Sequence, residues 1–116
     1  MADSPIARAG EKAQELALEV HRVTQKLPES EQAGLTGQLR SAAIAAASAR
    51  VEERGESASA DAMARLAAEA AGAVADVVYC LMLGRDLGYL TEADTRETTR
   101  LAAEALRRIN GLRTAA

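Results

Sequence analysis

The chain has 116 residues, 48% of them hydrophobic and 27% charged, with a formal net charge of −3. That length fits one domain, residues 1–116, and the balance is that of a globular chain, not a disordered tail. A pI near 5.2 argues against a general polyanion binder, and one His, one Cys, two Tyr and no Trp or Phe leave little with which to build a catalytic site.

The segment over residues 5–26 opens the fold. Ser4 is placed to cap a helix whose first position is Pro5, where the missing N–H costs nothing. Apolar residues recur at Ile6, Ala9, Ala13, Leu16, Val20, Val23 and Leu27, alternating steps of three and four, the period of a helix packing seam. Leu27-Pro28 ends it, because a residue preceding proline is pushed out of the α region.

The second helix is predicted over 29–54, with Glu29 and Glu31 favoured by the dipole at its first turn. Its stripe is Leu35, Leu39, Ala42, Ala43 and Ala46. The polar run from Glu52 to Ser57, with Gly55, reads as a loop. A third helix follows over 58–87, capped by Ser57 or Ser59, with Met63, Leu66, Ala70, Val74, Val77 or Val78, and Leu81 on its inner face. Gly84 and Gly88 mark its end, Gly88 being the better left-handed cap. Thr91 followed by Asp94 approximates a capping box and opens a fourth helix over 92–112, carrying Leu101, Ala105, Leu106, Ile109 and Leu112. Four helices with short links predict an all-α, antiparallel up-down-up-down four-helix bundle.

Small aliphatic side chains bury little area each, so such a bundle gains by assembling with copies of itself. One cysteine makes no internal disulfide. The N-terminus lacks a basic stretch followed by an apolar one, and the longest strongly apolar run, Val77 to Leu83, is far short of the roughly 20 residues of a membrane span. The expectation is a cytoplasmic protein with no membrane partner, metal or cofactor.

The residues that carry chemistry are few. His21 has Leu18 three residues before it and no second His, so a di-metal bundle site of the Glu-x-x-His kind is excluded within one chain. His21 reads as a surface or interface residue, and Cys80, inside an apolar run, as a buried structural thiol. Arg96, Arg100 and Arg107 fall on one helical face, and from Arg96 onward five arginines stand against Glu97 and Glu104. A solvated face paired with neighbouring acids is the first reading, and a strip for RNA or an acidic partner the second. Gly72, unfavourable inside a helix, sits with Ala68 and Ala75 where a close helix crossing would use small residues.

The run Leu27-Pro28-x-x-Glu31-x-x-Gly34-Leu35-x-x-Gln38-Leu39-Arg40, with Ala42-Ala43 and Glu52 beyond it, is similar to the start of the second helix in the proteins encoded by intervening sequences of bacterial 23S ribosomal RNA genes. Ala70, Gly72 and Asp76 follow the spacing of that family's third helix, with Ala73 where it has Ser, and Leu87-Gly88-Tyr89-Leu90 resembles its turn. Ser41, Ala49 and Glu53 depart, and the family's Asn-Ile-Ala-Glu-Gly string is not kept. The family includes the accessory variability determinant of diversity-generating retroelements. The resemblance implies a four-helix protomer assembled as a homopentameric barrel and, in the retroelement branch, binding of a reverse transcriptase and nucleic acid through a basic surface. The acidic pI departs from that branch.

Two functions are therefore expected in order. The first is a non-enzymatic homo-oligomeric scaffold that presents helix surfaces to a protein partner. The second is an RNA- or nucleoprotein-binding accessory protein, as of a reverse transcriptase, acting through Arg96, Arg100 and Arg107.

Overall fold

A computed structural model describes residues 4–48 and 59–115. The described residues form four α-helices: α1 (Pro5–Val23), α2 (Leu35–Ser48), α3 (Ala60–Asp86) and α4 (Glu92–Ala115). No strand occurs among the described residues. Each helix packs on its neighbour in sequence, and α1 also packs on α4, so the four enclose one aliphatic core. This is the arrangement of a four-helix bundle.

The caps follow from local chemistry. The Ser4 hydroxyl accepts from the Ala7 N–H at 3.0 Å, and the Ser59 hydroxyl from the Ala62 N–H at 3.2 Å. At α4 the box is reciprocal: the Asp94 N–H donates to Thr91 Oγ1 at 3.0 Å, and the Thr91 N–H to Asp94 Oδ2 at 2.9 Å. Gly88, at φ +83°, closes α3. Its N–H donates to Arg85 O and the Tyr89 N–H to Gly84 O, both at 3.0 Å, which completes a Schellman motif.

The helix ends differ from expectation in two places. The last turn of the first segment, Thr24–Lys26, is 3₁₀, so α1 stops at Val23. The second helix does not begin at Glu29: Glu29–Glu31 is a separate 3₁₀ turn and α2 starts at Leu35. Glu31 is the reason. Its Oε1 accepts from the Leu35 N–H at 2.9 Å, serving a new helix start instead of the first turn of an old one. The loop expected over Glu52 to Ser57, the end expected for helix two at residue 54, and Ala49 and Glu53 lie outside the described residues.

The core holds the expected seams. Ala9, Ala13, Leu16, Val20, Val23 and Leu27 are buried, as are Leu35, Leu39, Ala43 and Ala46, and Leu101, Ala105, Ile109 and Leu112. In α3 the inner face is Met63, Ala67, Ala70, Ala71, Val74, Val77, Cys80, Leu81 and Gly84, with Leu66 and Val78 only partly covered. By length and composition alone, α3 is also the one helix among the described residues that would span a membrane, because alanines extend its apolar stretch well past Val77–Leu83. Its core face is committed to the bundle.

Candidate functional site

The arginine strip of α4 is exposed but not bare. Arg96, Arg100 and Arg107 are all open to solvent. Arg100 donates from Nε and Nη2 to the Glu97 carboxylate at 3.0 and 2.6 Å and lies 3.7 Å from Glu104. Arg107 donates to Glu104 at 3.2 Å, and half-buried Arg108 to the same carboxylate at 3.3 Å. The guanidinium of Arg100 holds the Glu97 carboxyl below its ordinary value. For Glu104, partial burial acts upward, but Lys12, Arg108 and Arg107 outweigh it, and the net shift is downward. Arg96 alone of the three has no ion-pair partner among the described residues. The paired arrangement is that of a solvated helix face with internal partners, each exposed pair worth little.

The small residues expected at a close crossing are not at one within the protomer. Gly72, Ala68 and Ala75 are all exposed, and a Cβ built on Gly72 meets nothing within 4 Å. The seam of α3 runs through Ala67, Ala70, Ala71 and Val74, which places Gly72 on the opposite side of the helix. The close approach is made elsewhere, at Gly84. A Cβ there would stand 3.0 Å from Leu90 Cδ1 and 3.4 Å from Leu35 Cδ2.

That point gathers several of the family-like residues at one end of the bundle. Gly84 receives Leu90 from the turn and Leu35 from the start of α2. Glu31 caps Leu35, and its carboxylate beside the Tyr89 phenol raises the pKa of that phenol. Gly34 leaves room for this carboxylate, since a Cβ on it would meet Glu31 Oε1 at 2.7 Å. Glu31, Gly34, Leu35, Gly84, Gly88, Tyr89 and Leu90 thus form a clasp between two turns, and their work is to fix helix ends. Arg40 ties another junction: its Nε donates to Thr24 Oγ1 at 2.8 Å and its Nη2 lies 3.5 Å from the His21 carbonyl, which also accepts from the Thr24 hydroxyl at 3.1 Å.

Nδ1 of half-buried His21 lies 3.0 Å from the Ala17 carbonyl one turn back, so it is the donor, and the residue also lines a groove. Cys80 is buried, and burial, with Asp76 nearby, pushes its thiol pKa up, away from the reactive thiolate. No cluster of three or more His, Cys, Asp or Glu with metal-binding geometry occurs among the described residues.

What the sequence reading passed over is the apolar surface. Leu18 is 64% exposed, Ile44 51%, Tyr79 62%, Met82 54% and Leu87 53%. Leu18 and Ile44 flank a groove of about 390 Å³ that also takes in Gln14, His21, Ala47 and Ser48. The signal was present: Leu18 lies off the Leu16–Val20 seam, and Ile44 off the Ala43–Ala46 seam.

A family model described as 23S rRNA-intervening sequence protein matches residues 7–111. No individually curated protein matches the chain. The match runs from the first turn of α1 into the last turns of α4 and takes in the whole clasp. A bundle whose family-like residues fix its own helix ends, matched over nearly its full length, belongs to the 23S rRNA-intervening sequence protein family.

Proposed function

We propose that the chain is a homo-oligomeric helical scaffold, pentameric by its family resemblance, that presents helix surfaces to a protein partner in the cytoplasm and catalyses nothing. The observation that carries this reading is the exposed apolar surface: five large hydrophobic side chains stay more than half exposed in a chain whose core is filled by Ala, Val and Leu. Such surface is costly to leave in water and is covered most simply by another copy. Light scattering or sedimentation across micromolar concentrations tests it. The expected mass is a multiple of 12.1 kDa; a monomer throughout would overturn the scaffold.

A second reading is an accessory protein of a reverse transcriptase that binds RNA through Arg96, Arg100 and Arg107. The exposure of all three, and the lack of an ion-pair partner for Arg96, favour it. Pairing of Arg100 and Arg107 with Glu97 and Glu104 counts against it and sets it second. Phosphate contacts would make affinity for structured RNA fall with salt and fall again in Arg100→Glu. Undetectable binding at low salt, or binding unchanged in Arg100→Glu, would end this reading.

A further inference from the structure

Ion pairs and large exposed apolar side chains lie on different parts of this molecule. Every ion pair among the described residues lies on α1, the turn after it, or α4: Lys12–Glu15, Arg22–Glu19, Lys26–Asp94, and the Arg100, Arg107 and Arg108 pairs with Glu97 and Glu104. None lies on α2 or α3. Those helices instead border two apolar features of different shape. One is the groove between α1 and α2, walled by Leu18 and Ile44 and lined without a formal charge. The other is a ridge along α3, where Ala68, Gly72, Ala75, Tyr79 and Met82 are all exposed and follow steps of four and three. The ridge is low and small at one end and carries its two large side chains at the other.

We propose that the ridge of one copy of this chain seats in the α1/α2 groove of the next, with Tyr79 and Met82 against Leu18 and Ile44. This rests on the oligomeric reading above and adds which faces mate. Two arguments select a second copy and this pairing. The first is area. The protomer measures 43 × 24 × 20 Å, so its long face outlines about 1,000 Å², and a stable interface takes roughly 800 Å² from each partner. Copies packed side by side along that face can supply it. The second is shape. A two-fold contact of ridge on ridge would leave every groove in water. A head-to-tail contact covers both features with one repeated interface and closes into a ring when its rotation allows. The ion-paired α1/α4 side is left facing water, as its composition suits.

Blocking one feature at a time tests the pairing. Ile44→Arg spoils the groove and leaves the ridge; Tyr79→Arg spoils the ridge and leaves the groove. Each variant alone is expected to sediment as a 12.1 kDa monomer. Their equimolar mixture is expected to form a dimer of twice that mass and nothing larger, because one good ridge meets one good groove. A single variant that still dimerises, or a mixture that stays monomeric, overturns the pairing. The unmodified chain in the same runs judges the oligomeric reading separately: if it is monomeric that reading fails, and if it is oligomeric while the mixture is not, only the pairing fails. Both positions are more than half exposed. If circular dichroism shows lost helix in either Arg variant, Ile44→Gln and Tyr79→Gln carry the same test.

Discussion

Gly84 and Gly72 lie in the same helix, the first read in sequence as a mark of its end and the second as a glycine kept for close packing, and their surroundings are opposite. At Gly84 the missing side chain is filled by Leu35 and Leu90, and the helix end, the turn and the start of α2 meet there. At Gly72 no described residue beyond its own stretch of helix lies within 4 Å of where a Cβ would be. A glycine in a helix is a known cost to stability. At Gly84 that cost is answered inside the protomer. At Gly72 it is answered outside the protomer or not at all, and the difference separates residues that make the fold from residues that make a surface.

Substitutions sharpen that contrast, and the largest effect belongs to the clasp. Gly84→Leu should lower the thermal midpoint, because overpacking typically costs about 1–3 kcal/mol and outweighs the helix-propensity gain. A shift of about 4–8 °C per kcal/mol is expected for a domain of this size. An unchanged midpoint would mean that Leu35 and Leu90 move aside freely. Gly88→Ala comes next: with φ at +83°, a Cβ there costs roughly 1–2 kcal/mol, again read as a lowered midpoint at fixed protein concentration.

At the other glycine the sign reverses. Gly72→Ala should raise the stability of the protomer by roughly 0.5–1 kcal/mol, since the methyl meets no neighbour and alanine favours helix. A lowered midpoint would instead reveal a partner packed on that face. Gly72→Leu separates the two layers of structure: the protomer keeps its helix content, while an assembly that seats α3 in a neighbour loses mass by sedimentation.

The smallest effect lies at the start of α4. The Thr91 backbone N–H holds the Asp94 carboxyl below its ordinary value, with the Thr91 hydroxyl and Lys26 adding to this against partial desolvation. A carboxyl depressed in the folded state stabilises above its unfolded value of 3.8 and loses that contribution as pH falls through the folded value. The stability difference between the unmodified chain and Asp94→Asn should therefore be present near neutral pH and shrink in acid below 3.8. A difference independent of pH would show that the carboxylate charge is not what the cap uses.

Much of the fold was legible because its signals are local. Ser4, Thr91 with Asp94, and Gly88 each announce a helix end through bonds that reach three or four residues, and periodicity found most of the core. The start of α2 was not legible from dipole arguments. It depends on Glu31 turning its carboxylate to Leu35, which Gly34 permits and Tyr89, distant in sequence, supports. The arginine strip was legible as a face paired with neighbouring acids, the first of its two readings. Glu97 and Glu104 stand three or four residues from Arg100, and Glu104 three from Arg107, the spacing at which helix side chains meet. Gly72 was misplaced because propensity says that a glycine is costly, not which direction its reason comes from. The apolar surface was missed because a seam was sought on each helix and residues off the seam were left aside.

The Arg40 bridge has a consequence for how the bundle opens. Helix ends ordinarily fray by themselves, since their last carbonyls have no partner in the helix. Here the end of α1 is bonded through Thr24 and the His21 carbonyl to a side chain rooted in the middle of α2. The last turn of α1 is thus released only when α2 lifts away or Arg40 lets go, and amide exchange there is expected to quicken in Arg40→Ala.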